Sequence, residues 1–186
     1  MTIRTATVDD AQALLHIYSY YVQNTAVTFE YDVPTVEEFA QRIAKTLQKY
    51  PWLVAEEDGC IVGYAYAAAF RTRPAYGWGV ELSVYLDCHE RGRGTGRRLY
   101  EALEAMLQRM GVLNLYACIA VPEQEDEYLT FASERFHERM GFVKNGTFHR
   151  CGYKFNRWYH MIWMEKLIGD HQPDQPPVKP FDQVAF

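Results

Sequence analysis

The stretch His89-Glu90-Arg91-Gly92-Arg93-Gly94-Thr95-Gly96-Arg97-Arg98 lies between an alternating segment and a helical one, and its reading decides the fold. Before it, Val80, Leu82, Val84 and Leu86 alternate with Glu81, Ser83 and Tyr85, which predicts a strand over 77–86 with the latter three on one face. After it, Leu99, Leu103, Met106, Leu107 and Met110 form one helical stripe closed by Gly111. A glycine-rich turn between strand and helix exposes consecutive backbone N–H groups beside a helix N-terminus, and arginines add charge-assisted donors. Such a turn suits a polyphosphate. It is not a P-loop, because Gly-Lys followed by Ser or Thr is missing. Nor is it a dinucleotide fingerprint, since the spacing is GxGxG and the next strand carries no acid. What remains is Arg91-x-x-Gly94-x-Gly96.

Working outward, a strand over 3–6 precedes Thr7 and Asp10, a capping box that opens an amphipathic helix over 8–23. Pro34, Thr35 and Glu38 start a second helix over 36–49. Strands over 52–56 and 61–70 flank the turn Asp58-Gly59. Beyond Gly111 the pattern predicts a strand over 112–121, a helix over 128–140 closed by Gly141, and strands over 142–147 and 158–167. The order is that of an α/β (α+β) mixture around one largely antiparallel sheet. Pro173, Pro176, Pro177 and Pro180 mark an extended tail, so residues 1–168 are expected to form the domain and 169–186 a proline-rich tail.

Composition narrows the function. The 186 residues suit one domain, and 19 Lys+Arg against 24 Asp+Glu give a net charge of −5, which argues against a nucleic-acid surface. No apolar run approaches the roughly 20 residues of a membrane helix, and the polar start reads as no secretory signal. Cys60, Cys88, Cys118 and Cys151 are far apart with no CxxC pair, so neither a zinc knuckle nor a disulfide framework is expected, and a reducing cytoplasm suits them. The acids Glu123, Glu125, Asp126 and Glu127 lack histidine partners and read as a solvated loop, so no metal is expected.

The glycine–arginine turn resembles the pyrophosphate loop of the GNAT superfamily of acetyl-CoA-dependent N-acetyltransferases. The likeness narrows to the phosphinothricin N-acetyltransferase-like branch. Tyr50-Pro51-Trp52-Leu53-Val54-Ala55-Glu56 is similar to that branch's second strand, and Ala75-Tyr76-Gly77-Trp78-Gly79-Val80-Glu81 to its loop and central strand. Phe136-His137-x-x-x-Gly141-Phe142 and Cys151-Gly152-Tyr153-Lys154-x-x-x-Trp158 resemble its C-terminal third. Two features depart from the pattern. Thr130 stands where an asparagine usually precedes Ser133, and loop 122–129 is longer and more acidic.

The resemblance implies a sheet with splayed central strands, a homodimer and acetyl-CoA as cosubstrate. It implies that backbone groups of Val84, Tyr85 and Leu86 pair with pantetheine, and that Arg91, Gly92, Arg93, Gly94, Thr95, Gly96 and Arg97 hold the pyrophosphate. Acetylation needs a neutral amine, yet an α-amino group is mostly protonated at pH 7, so a carboxylate must take its proton. Glu81 lies mid-strand opposite the apolar stripe and matches the family's general base. No cysteine is expected beside it, which favours direct attack in a ternary complex. The thiolate leaves with a pKa near 8.5, and His137, where many relatives have tyrosine, is a candidate acid. Arg71 and Arg73 on a proline-stiffened turn suit an anionic amino-acid-like acceptor such as phosphinothricin or methionine sulfoximine. By resemblance, Phe29 and Tyr76 line its site. Two alternatives stay open: another amine (polyamine, aminoglycoside or protein N-terminus), and a non-catalytic acyl-CoA-binding module.

Overall fold

In a computed structural model, which describes residues 1–90 and 92–184, these residues form seven strands and four α-helices. They run β1 (Thr2–Thr5), α1 (Ala11–Asn24), α2 (Val36–Leu47), β2 (Trp52–Glu57), β3 (Cys60–Ala69), β4 (Gly79–Leu86), α3 (Thr95–Met110), β5 (Asn114–Val121), α4 (Ala132–Arg139), β6 (Val143–Lys154) and β7 (Arg157–Leu167). The strands stand in the order β1-β2-β3-β4-β5-β7-β6, all antiparallel except the β4–β5 pair. Both capping boxes form. Thr7 N–H donates to Asp10 at 2.7 Å, and Thr35 and Glu38 cap each other reciprocally at 2.8 and 3.1 Å.

Strand alternation divides the core between two faces. Leu53, Ala65, Val80, Leu82 and Leu115 turn toward the α3 stripe of Leu99, Leu103, Met106, Leu107 and Met110. On the other face Trp52, Val54 and Tyr64 meet Leu14, Tyr18 and Val22 of α1 and Phe39 and Ile43 of α2. Glu81 and Tyr85, one residue out of phase with Val80 and Leu82, therefore lie on the α1–α2 face.

Two elements differ from the sequence reading. The late helix starts at Ala132 instead of 128, because Asp126 Oδ1 takes the N–H groups of Tyr128 and Leu129, both at 2.8 Å, and holds them in a turn. Strand β6 runs to Lys154, well past 147. Register slips at Lys144/Gly146 and Phe148/Gly152 break its alternation, and its hairpin turns through Phe155 and Asn156, both at positive φ and lacking glycine. The tail packs back on the domain. Trp78 Nε1 donates to Pro176 O at 2.7 Å, Lys179 N to Met110 O at 2.8 Å, and Val178, Phe181 and Val184 pack against the α3-side core. Among the described residues no helix is long and apolar enough to cross a membrane.

Leu103 is fully buried mid-stripe. Leu103→Ala is expected to cost about 2–5 kcal/mol in urea unfolding, through lost transfer energy and a cavity. An exposed α3 change such as Glu101→Ala should cost under about 0.5 kcal/mol.

Candidate active site

The parallel strands β4 and β5 pair only at Gly79↔Asn114, Val80↔Leu115 and Glu81↔Tyr116. Past Glu81 they part, β4 continuing with β3 as far as Leu86 and β5 with β7 as far as Val121. The backbone of β4 shows what faces the gap. Phe70 N donates to Gly79 O and Asp87 N to Val62 O, so the odd-numbered positions of β4 are bonded to β3. Trp78 O accepts from Leu113 and Asn114, so the even-numbered positions face β5. Leu82 N–H closes the last bond of the ladder, to Tyr116 O, so the Leu82 carbonyl, both peptide groups of Val84 and the Leu86 N–H open into the gap with no strand opposite. Tyr85 departs from expectation: its peptide is turned to β3, and its ring packs on Tyr18 and Tyr64, at 5.1 and 5.5 Å between centroids. Tyr21 Oη donates to Leu86 O at 2.7 Å.

At the C-terminal mouth of the gap, Gly92 and Gly94 have φ of +77° and +82°, and Gly94 caps α3. The first α3 amide bonded within the helix is Arg98 N, to Gly94 O, which leaves those of Thr95, Gly96 and Arg97 pointing outward. Thr95 is buried and Arg97 exposed. Arg93 is tied down. Its guanidinium lies 2.7 Å from Glu90 and 3.1 Å from Glu57, so its charge is already answered by two carboxylates, unlike the free phosphate ligand expected. Arg91 lies outside the described residues.

Glu81 sits where the strands part. Burial pushes its carboxyl above the ordinary carboxylate range, opposed by the nearby positive charge of Arg71. Arg71 lies 4.4 Å above the Phe70 ring and 5.4 Å from Trp163, while Phe70 stacks on Tyr116 at 4.0 Å. Phe29 reaches the same face by lying against Gly152, where an added Cβ would come within 2.2 Å of its ring. Its loop is strapped there by Lys154 Nζ donating to Thr28 O at 2.8 Å. Arg73 and Tyr76 are exposed on the turn; Tyr76 packs edge-on to Phe70 at 5.9 Å.

The α3–α4 wall of the gap carries His137 and Tyr100, both buried. His137 Nδ1 lies 2.8 Å from Ser133 O, an acceptor only, so Nδ1 carries the proton. Nε2, 3.0 Å from Tyr100 Oη, then accepts from that hydroxyl. Burial pushes the imidazole down to about 4, so it is neutral at pH 7. This departs from the role read from sequence: His137 receives the Tyr100 O–H at Nε2 and spends its own N–H on Ser133 O, so neither ring nitrogen holds a spare proton for the gap.

Residues 3–163 match the family model of the acetyltransferase (GNAT) domain. The chain belongs to the GNAT acetyltransferase family. It is 31% identical to the phosphinothricin N-acetyltransferase of Streptomyces viridochromogenes over 98% of this chain and 95% of that protein. The L-methionine sulfoximine/L-methionine sulfone acetyltransferase of Salmonella typhimurium is 33% identical over 92% and 96%. The crystal structure of a phosphinothricin acetyltransferase from Sinorhizobium meliloti in complex with AcCoA superposes with a TM-score of 0.85 at 30% identity, covering 97% of each chain.

Within this GNAT fold, sequence reasoning missed two residues. Tyr100 adjoins Leu99 of the α3 stripe and gave no signal of its own. Cys118 lies two residues beyond Tyr116, the partner of Glu81, so a cysteine does neighbour the glutamate in space. Burial, then the charge of Glu81, pushes its thiol up to about 12, which keeps it protonated and a poor nucleophile. The four acids of the loop are paired with three arginines of the neighbouring elements: Glu123 with Arg150, Glu125 with Arg135, and Asp126 and Glu127 with Arg157.

A histidine buried neutral stabilises the fold fully above its unfolded pKa of 6.5 and loses that contribution as pH falls toward about 4. Urea unfolding across that window should show the wild type losing up to about 3 kcal/mol more than His137→Gln, whose share is independent of pH.

Proposed function

We propose that this N-acetyltransferase, whose acyl donor is acetyl-CoA, acetylates the α-amino group of a small, anionic amino-acid-like molecule of the phosphinothricin or methionine sulfoximine class, with Glu81 as its general base. One observation carries the reading: the β4–β5 gap opens at Glu81, with Arg71 beside it. Pantetheine fits along the open peptide groups of Val84 and the Leu86 N–H, and the pyrophosphate at Gly92–Arg97 on the outward amides of α3. A gap-facing N–H of β4 polarises the thioester carbonyl.

Direct attack then follows. The ammonium proton passes to Glu81, whose raised pKa suits a proton acceptor working near neutrality. The freed nitrogen attacks the thioester carbon, forming a C–N bond and an oxyanion; collapse breaks the C–S bond and releases the thiolate. The nitrogen's second proton is lost as the amide forms, and the thiolate takes up one proton. Tyr100, its one hydroxyl proton given to neutral His137, presents only oxygen lone pairs to the gap, so the departing sulfur takes its proton from solvent. Cys118, held as a thiol, takes no acyl group. Arg71 meets the acceptor's carboxylate, with Arg73, Phe29 and Tyr76 around it. Because its acids are already paired with arginines, loop 122–129 offers little to a polycation. Free cysteines fit a reducing, cytoplasmic setting.

Thiol release against an amino-acid panel tests the reading. Glu81→Gln should lower kcat by about 10²–10⁴ while leaving acetyl-CoA affinity within about twofold. Changing Arg71 and Arg73 to alanine should raise KM for the anionic amino acid and not for a simple amine. Undiminished turnover by Glu81→Gln would remove the glutamate from the chemistry.

A homodimer belongs to the same proposal. Val143, Phe148 and Trp158, on β6 and β7, are 67%, 54% and 58% exposed, a large apolar share for a sheet edge. Light scattering should give twice the 21.7 kDa chain mass, and Trp158→Glu should shift the population toward monomer.

A further inference from the structure

Away from the β4–β5 gap, a second cavity of about 260 Å³ lies between α2 and strands β2 and β3. Its walls are of two kinds. Phe39, Trp52 and Tyr66 give it aromatic faces, with Trp52 stacked on Tyr66 at 4.1 Å and edge-on to Phe39 at 6.0 Å. Arg42, Lys45 and Glu30 give it a charged rim. Arg42 pairs with Glu30 at 2.9 Å, and among the described residues Lys45 makes no ion pair, so the rim carries one uncompensated positive charge. The indole N–H of Trp52 is the one buried side-chain polar atom, among the described residues, with no hydrogen-bond partner. Leaving such a donor unsatisfied is costly, and native proteins seldom do so without a reason.

We propose that this cavity is a second small-molecule site, for a monocarboxylate with a flat aromatic body. The chemistry follows from the walls. Stacked rings 4.1 Å apart continue naturally into a further flat ring. A net positive rim selects an anion over a cation, and Arg42 and Lys45 supply donors of the charge-assisted kind. An acceptor atom brought in beside Trp52 would also answer the indole N–H. The site is separate from the reaction centre but next to it. Tyr66 pairs across the strands with Ser83, which lines the β4–β5 gap, and Glu30 directly follows Phe29. Neither the acyl donor nor the acceptor proposed above occupies this cavity.

Isothermal titration of the full-length protein with phenylacetate, against its neutral and cationic counterparts phenylacetamide and phenethylamine, tests the assignment. Saturable binding of phenylacetate alone is expected, weakened about tenfold or more by Arg42→Gln and several-fold by Lys45→Gln and by Trp52→Phe. The Arg71→Ala/Arg73→Ala protein should bind it as the wild type does. Thermal melts accompany each variant, and Lys45, being exposed, carries the test should Arg42→Gln or Trp52→Phe unfold. Absence of saturable binding, equal binding of the amine, or loss of binding in the Arg71/Arg73 variant would overturn the proposal. The last result would put the carboxylate in the acceptor site and leave the acetyltransferase reading intact.

Discussion

The parting of two parallel strands immediately after Glu81 is the constraint on which the rest of the site depends. Three paired positions hold β4 to β5, and then each strand keeps only its outer neighbour. A sheet interior does not ordinarily leave backbone donors and acceptors unanswered. Here the Leu82 carbonyl, both peptide groups of Val84 and the Leu86 N–H are left for something else to pair with. Gly79 secures the join at its tight end: an added Cβ there would come within 2.9 Å of the Tyr116 ring, which itself packs on Phe70. The loop after α1 bridges the opening, with Ala26 N donating to Tyr128 O at 3.0 Å and Val27 lining the gap. The opening, the placement of Glu81 at its closed end and the loop that bridges it therefore all follow one divergence in the sheet.

Electrostatics at the two ends of the gap is local and opposed. At the mouth, Arg93 is consumed by Glu57 and Glu90, so an anion there relies on the outward amides of α3 and on the exposed arginines. At the closed end, burial raises Glu81 above the ordinary carboxylate range while the positive charge of Arg71 restrains the rise. His137 shows burial acting the other way on a base, keeping it neutral and a steady acceptor for Tyr100. A net charge of −5 conceals all of this, because the acids of loop 122–129 are spent on arginines nearby.

Much of the fold was legible because its signals are local. Capping boxes at Thr7 and Thr35, the alternation through β4 and the glycine pair opening α3 each act within a few residues. What was not legible depends on distant partners. The start of α4 is decided by Asp126 capturing two amides, the length of β6 by slips against β7, and the packing of the tail by Trp78 and Met110. In the site, Glu81 and the loop glycines announced themselves by chemistry and spacing. Tyr100 did not, since a tyrosine beside an apolar helical stripe reads as packing until His137 is seen across from it. Likewise the neighbourhood of Cys118 and Glu81 exists only through the parallel β4–β5 pairing.

The central claim is that the even-numbered peptide groups of β4 receive the donor. Amide hydrogen exchange, followed residue by residue by NMR with and without acetyl-CoA, reads it directly. Val84 and Leu86 N–H should gain protection on addition of acetyl-CoA, while Ser83 and Tyr85, already bonded to β3, should be protected in both states. Unchanged exchange at Val84 and Leu86 with the coenzyme bound would contradict the account.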